Sequence, residues 1–319
     1  MTLNEQQLDR AIGSVLASAA GDALGSQYEF GPSLSDTQKI TFGIGFFGHG
    51  LGEWTDDTSM AMPILFALAD ARNLLDPETL ADIAAQWRNW SETAQDVGTQ
   101  TRAVLQQLNQ PFTEADARAA AAEVHERSGR SGGNGSLMRT GPVSLGFLKD
   151  GTEAQLVEAA GRIAQLTHWE QDNVDACALW NLAIRHAIRT GELDVTAGLE
   201  WIACERRDRW RELIAEASTP GTHPRDFAEG NGWVVRAFQA ALSAIMNSND
   251  LVETLEAAVR GGKDTDTVAA IAGQLAGAIY GASQVPAQWS ELLHGYPDLR
   301  ATDLERLVRQ AAEQDQCAG

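Results

Sequence analysis

Two acidic tetrads, Thr55-Asp56-Asp57-Thr58 and Asp264-Thr265-Asp266-Thr267, carry the chemistry this sequence most clearly offers. Each stands directly before an apolar run, SMAMPILFALA from Ser59 and VAAIAGQLAGAIYG from Val268, so each reads as a helix start. Asp and Thr are preferred N-caps, and an acid near a helix N-terminus contributes roughly 0.3–1 kcal/mol, so capping alone accounts for either tetrad in isolation. Capping does not account for their excess. One cap uses one side-chain oxygen, whereas each tetrad holds two carboxylates and two hydroxyls, and crowded carboxylates repel unless a cation offsets them. Hard oxygen donors without His or Cys suit magnesium, manganese or calcium and do not suit zinc or copper. Two such clusters, if they converge, can hold two ions roughly 3.5–4 Å apart, an arrangement that orients and activates water.

The glycine-rich segments point less sharply. Gly43, Gly45 and Gly48 have GxGxxG spacing, but no strand precedes them and HGLGEWTDD follows instead of a helix, which argues against a dinucleotide fingerprint. The loop GRSGGNGS at 129–136 lacks the GK[ST] ending of a phosphate-binding P-loop. Taken singly, His168 reads as a structural histidine, Asp96 as a turn acid before Gly98, and Trp233 as a half-buried residue at a helix start.

The elements that must position these residues are helical. Apolar residues recur at spacings of three and four over 60–75, 153–166, 174–189 and 233–246, and no run shows sustained period-two alternation. The expected fold is all-α. Connections fall near 42–53, 129–136 and 217–232, none biased enough to be an interdomain linker, and a shared site would draw the chain's ends together. One domain over 1–319 is therefore the expectation. In the run after the second tetrad, Gly273, Gly277 and Gly281 recur every four residues, a stripe suited to close helix packing. The stretch 268–288 reads as a buried helix, not a membrane span, because it follows an acidic cluster and contains three glycines.

A formal charge of −20, from 24 basic and 44 acidic residues, excludes a general nucleic-acid binder, since such proteins neutralise phosphates with clustered Lys and Arg. The basic run Arg206, Arg207, Arg209 and Arg211 is interleaved with acids and reads as a solvated helix face. The polar, mixed-charge start has no secretory pattern, and Cys177, Cys204 and Cys317 are widely spaced without a CxxC, so a cytoplasmic protein with neither disulfides nor zinc is expected. Neither composition nor motif constrains the oligomeric state, and a monomer is the working expectation.

Six blocks in order, GDALGSQYE at 21–29, GEWTDDTSMAM at 52–62, DVGTQTR at 96–102, GGNGSLMRTGPV at 132–143, TH at 167–168 and GGKDTDTVAAIAGQLAGAIYG at 261–281, resemble the ADP-ribosylglycohydrolase family. The resemblance implies a compact multi-helix fold with two magnesium or manganese ions, which hydrolyses the bond between ADP-ribose and a modified target and releases ADP-ribose. On the matching positions, Thr55, Asp56 and Asp57 would be ligands from one helix start, and Asp264, Asp266 and Thr267 from the other. Asp57 and Asp266 would also take part in catalysis, and Glu29 would be a mobile carboxylate beside the metals. Gly133, Asn134, Gly135 and Ser136 would wrap the diphosphate and ribose with backbone N–H groups, and His168 would contact the same moiety. Asp96 would face the scissile bond and the departing group, and Trp233 is a candidate to stack on adenine. ADP-ribosyl-arginine in a protein is the foremost substrate class, with serine, nucleobase and small-molecule linkages open and 217–232 expected at the target-selecting rim. A crystallin-like binding protein and a phosphohydrolase cleaving the diphosphate are the alternatives. One departure stands out: Lys263 intervenes between Gly262 and Asp264, where the family commonly places a second glycine. Its side chain would either pair with a ligand carboxylate or point to solvent.

Overall fold

A computed structural model describes residues 3–317, with side chains through Glu313, so the Cys317 thiol lies outside the described residues. The expected all-α architecture is what folds: thirteen α-helices and one two-stranded hairpin among the described residues. Helix α1 (Glu5–Gly25) starts at a capping box between Asn4 and Gln7, which satisfies two otherwise orphaned backbone N–H groups. It is followed by α2 (Asp56–Ala69), α3 (Pro77–Trp90), α4 (Thr99–Leu105), α5 (Glu114–Ser128), α6 (Glu153–Gln165) and α7 (Gln171–Thr190). The second half continues with α8 (Arg207–Ala217), α9 (Val234–Met246), α10 (Leu251–Arg260), α11 (Thr265–Tyr280), α12 (Ala287–Leu292) and α13 (Ala301–Cys317). The hairpin, β1 (His294–Gly295) and β2 (Leu299–Arg300), pairs antiparallel between α12 and α13.

Three of the four periodic stretches match their helices closely, but the run at 60–75 belongs to a helix that begins at Asp56 and ends at Ala69. Ala71 has φ +58°, a left-handed conformation that stops the helix, so 70–75 is connection despite its apolar residues. The early start matters more. It puts Asp56 and Asp57 inside the first turn of α2.

The site rests on the packing of α1 against α11, which joins the two ends of the sequence. A Cβ at Gly25 would lie 2.5 Å from the Cα of Asp266, and Gly21 faces the Ala269 backbone in the same way. Only glycines allow that approach. Gly273 and Gly277 make the reciprocal contacts with Ala17 and Gly13, but Gly281 does not extend the stripe: it ends α11 at φ +90° against Asp9. Helix α11 is buried over almost its whole length, and among the described residues no helix is long and apolar enough to cross a membrane.

The arginines at 206–211 do more than face solvent. Arg206 pairs with Asp172 (2.5 Å) and Asp175, and Arg209 pairs with Asp172 (2.6 Å), fastening the start of α8 to the first turns of α7. Arg211 pairs with Asp208 on its own helix. Cys177 is a buried free thiol and Cys204 an exposed one.

Candidate active site

Neither acidic tetrad caps its own helix. Thr55 is the N-cap of α2, yet its side chain accepts no backbone hydrogen bond there. The cap comes from α1: Asp22 Oδ1 accepts from the Thr55 N–H (2.9 Å) and hydroxyl (2.8 Å), and Oδ2 accepts from the Thr58 N–H (3.0 Å) and hydroxyl (2.6 Å). A carboxylate there meets both the unpaired N–H groups and the positive end of the helix dipole. Asp56 and Asp57 are thereby released from capping. Asp57 Oδ2 lies 3.2 Å from the Thr55 hydroxyl and 3.4 Å from the Thr267 hydroxyl, while Asp57 Oδ1 is buried with no partner among the described residues.

At the second start, Asp264 is the N-cap residue of α11, and its side chain also turns away from the helix to accept from Asn134 Nδ2 (2.8 Å). Asn231 braces this loop by receiving the Asp264 N–H (3.3 Å) and donating to the Gly262 carbonyl (3.1 Å). The 217–232 connection thus ends as a support for the acidic cluster. Lys263 adopts φ +64°, and its backbone pairs with the segment after Glu29: the Phe30 N–H donates to Lys263 O (2.6 Å) and the Lys263 N–H to Gly31 O (2.9 Å). That pairing sets Glu29 beside α11. The Lys263 ammonium turns outward to Glu229 (3.4 Å) and away from the carboxylates of the two tetrads.

The tetrads converge. Oxygens of Asp22, Asp57 and Asp266 lie within 4.8 Å of one another, as do oxygens of Glu29, Asp264 and Asp266, so Asp266 is common to both triads. Burial, reinforced by neighbouring carboxylates, pushes Asp56, Asp57 and Asp266 well above the usual carboxylate range. Burial and the charges of Asp96 and Asp264 raise Glu29 to about 9. Burial raises Asp22 and Asp264 too, against the hydrogen bonds they accept. Protons or a cation must compensate such a cluster, and the buried, unpartnered Asp57 Oδ1 within an all-oxygen donor set fits a hard divalent ion. Asp56 belongs to neither triad and lines the same cavity as Asp96, whose charge helps to raise it.

Above the acids opens a cavity of about 500 Å³, walled by Glu29, Asp56, Asp96, Gly133, Gly135 and His168, with Asp264 and Asp266 below. Burial, and then Arg139, holds His168 well below the usual histidine range; its Nδ1 lies 2.7 Å from the Thr167 hydroxyl, which also receives Arg139 (2.6 Å). The neutral ring is thus fixed beside the loop: Cβ atoms at Gly133 and Gly135 would sit 3.3 and 3.2 Å from His168 Nε2. The loop's other two residues behave differently from what its sequence suggests. The Asn134 N–H donates to Gly232 O (3.0 Å), and the Ser136 hydroxyl lies behind the wall, accepting from Asn173 (2.8 Å). A mainly apolar cavity of about 650 Å³ continues from Gly133 and contains the exposed Trp233 indole with Ala103 and Val124. On the opposite side Asp96, raised to about 6 by burial against the counteracting charge of His49, borders a third cavity of about 330 Å³.

The ADP-ribosylglycohydrolase family model matches residues 3–318. The chain belongs to the ADP-ribosylglycohydrolase family. It is 32% identical over 295 residues to the ADP-ribosylarginine hydrolase Tri1 of Pseudomonas putida (strain GB-1), covering 90% of this chain and 75% of that one. It is 29% identical over 293 residues to the ADP-ribosyl-[dinitrogen reductase] glycohydrolase of Rhodospirillum rubrum, covering 88% and 89%. A solved ADP-ribosylglycohydrolase-related protein complex superposes with a TM-score of 0.71 at 27% identity, covering 98% of this chain and all of that one. The enzyme is accordingly an ADP-ribosyl glycohydrolase, hydrolysing the glycosidic bond that joins ADP-ribose to a target.

Of the six positions expected as ligands, Asp56, Asp264, Asp266 and Thr267 line this cavity with Glu29, Asp96 and His168, while Asp57 joins them through the triad with Asp266 and Thr55 through its contact with Asp57. Asp22 was missed. Its one signal is an acid inside the apolar run SVLASAAGDALG, a position where a charge needs a specific partner.

Proposed function

We propose that this glycohydrolase acts on ADP-ribosyl-arginine and works with two magnesium or manganese ions held by Thr55, Asp56, Asp57, Asp264, Asp266 and Thr267, with Asp22 and Glu29 completing the oxygen set. The observation that carries the reading is the sharing of Asp266 by two carboxylate triads under one cavity. The bound ions supply Lewis acidity and an oriented water. The remaining work belongs to the protein's own groups. Gly133, Gly135 and the neutral His168 present a close-fitting wall to the ribose and diphosphate, and Trp233 offers its exposed face to adenine in the apolar cavity. Carboxylates beneath the ribose favour the positive charge that grows at the anomeric carbon as its bond to nitrogen stretches. Asp96, raised to about 6, stands between the reaction cavity and the next one and holds the proton that the departing nitrogen takes. Water adds its hydroxyl to the anomeric carbon and its proton replaces the one given up, so ADP-ribose and an intact target are the products.

Arginine is favoured because relatives from Pseudomonas putida and Serratia proteamaculans carry the name ADP-ribosylarginine hydrolase. The test is a panel of arginine-, serine- and nucleobase-linked ADP-ribose with magnesium. Release of intact ADP-ribose from the arginine conjugate is expected. Release from another linkage alone would overturn the arginine assignment, and AMP plus ribose phosphate would indicate cleavage of the diphosphate instead.

A further inference from the structure

Arg139 is a buried cation that the proposed reaction leaves without a task. It is fully enclosed, its guanidinium carbon lies 4.0 Å from the centroid of the Trp87 ring, and one of its N–H groups reaches Met60 Sδ at 3.7 Å. Its Nε has no partner, and no carboxylate pairs with it among the described residues. A buried charge held this way is costly unless it serves something. The one oxygen to which it donates is the Thr167 hydroxyl, at 2.6 Å.

That contact decides where a proton sits. Thr167 is wholly buried, and its hydroxyl meets two groups: Arg139, which can only donate, and His168 Nδ1 at 2.7 Å. If Nδ1 also donated, the hydroxyl would accept twice and its own proton would have no acceptor in a closed interior, which is the expensive arrangement. The hydroxyl therefore gives its proton to a bare Nδ1, and the ring proton resides on Nε2. Nε2 is the edge of the ring that meets the reaction cavity. It lies against Gly133 and Gly135, where Cβ atoms would come within 3.3 and 3.2 Å, and it has no hydrogen-bond partner among the described residues. His168 is only 2% exposed, so this donor is nearly enclosed and still unused. The oxygens of a diphosphate can only accept, and a bare nitrogen at this place would repel them.

We propose that Arg139 and Thr167 are positioning residues that fix His168 as its Nε2–H tautomer, so that the ring donates a hydrogen bond to an acceptor oxygen of ADP-ribose. The buried guanidinium takes no part in binding the anion directly. It occupies the Thr167 oxygen, and through it sets the direction of every hydrogen bond as far as the cavity. The identity of the ligand rests on the reading of that cavity as the ADP-ribose site, whereas the tautomer follows from the buried contacts alone.

The test is nitrogen-15 NMR of the full chain with labelled histidine, in magnesium buffer, with His168→Gln identifying which of the six histidines gives the His168 signals. The wild type should show a protonated Nε2 and a bare Nδ1, and the Nε2 proton should shift when ADP-ribose is added. A protonated Nδ1 in the wild type overturns the proposal without any further variant, so it stays testable even if a core substitution fails to fold. Thr167→Val keeps the shape and removes the hydroxyl. It should let both tautomers appear and weaken ADP-ribose binding about tenfold, and Thr167→Ser should restore both properties. Arg139→Met, which keeps an unbranched side chain over Trp87, should also release the second tautomer. A single Nε2–H tautomer that persists in folded Thr167→Val and Arg139→Met overturns the positioning role. ADP-ribose that binds without moving the Nε2 proton overturns the donor role. ADP-ribose that does not bind at all would contradict the proposed function, while the nitrogen signals of the free enzyme would still decide the tautomer.

Discussion

Asp22 holds Thr58 by both its backbone N–H (3.0 Å) and its hydroxyl (2.6 Å) through one carboxylate oxygen, while the other oxygen holds Thr55. One buried acid on α1 therefore caps α2 and stands within 4.8 Å of Asp57 and Asp266. Replacing it by asparagine leaves one acceptor oxygen where four donors converge. We expect Asp22→Asn to weaken magnesium binding about 10- to 100-fold, the range found when groups supporting metal ligands are removed. Isothermal titration reads this directly, and unchanged affinity would mean that Asp22 serves only as a cap.

Asp266→Ala removes the carboxylate common to both triads. Activity should vanish, and the rise in melting temperature produced by magnesium should vanish with it, because a ligand that binds only the folded state stabilises it by mass action. Unchanged magnesium stabilisation in this variant would remove Asp266 from the ligand set. Asp56→Asn should leave α2 intact, since Asp22 and not Asp56 caps it, while reducing metal affinity.

In the metal-free enzyme the buried acids are raised, Glu29 to about 9 from an ordinary 4.5. The sign follows from linkage. A folded-state carboxyl above its unfolded value binds its proton more tightly when folded, so its stabilisation is complete below about pH 4.5 and is lost as pH rises toward 9. With EDTA present, melting temperature should fall between pH 5 and pH 9 on the order of several degrees, and magnesium should restore more of it at higher pH because its ligands must be deprotonated. A magnesium effect that shrinks as pH rises would contradict this account.

Lys263 sits at φ +64° with its ammonium on Glu229, away from the acids. Glycine at this position removes the strain of a left-handed backbone, so Lys263→Gly should stabilise the fold by up to about 1 kcal/mol, with magnesium affinity unchanged. Denaturant titration with and without magnesium checks both. A marked change in affinity would show that the lysine communicates with the ligands.

The acidic tetrads were legible because they held more oxygen than a cap can use, and the helices because their apolar spacing is regular. What stayed hidden depends on approaches between distant segments. Asp22 becomes part of the cluster only because Gly21 and Gly25 let α1 meet the α11 backbone, and a single sequence shows the glycines without their partners. Glu53, Tyr296 and Asp298 face one chamber only because the β1–β2 hairpin pairs with the segment before α2, more than 200 residues away. The loop at 133–136 was read as a backbone N–H cradle, yet the Asn134 N–H is taken by Gly232 O and its side chain braces Asp264, roles set by tertiary contact and not by composition.

The most direct measurement is ADP-ribose release from an ADP-ribosyl-arginine conjugate by the purified enzyme, before and after EDTA and after magnesium is returned. Intact ADP-ribose should form with magnesium, cease with EDTA and resume on repletion. Release that continues at full rate in EDTA, or AMP as the product, would contradict a metal-dependent glycohydrolase built on Asp57, Asp264 and Asp266.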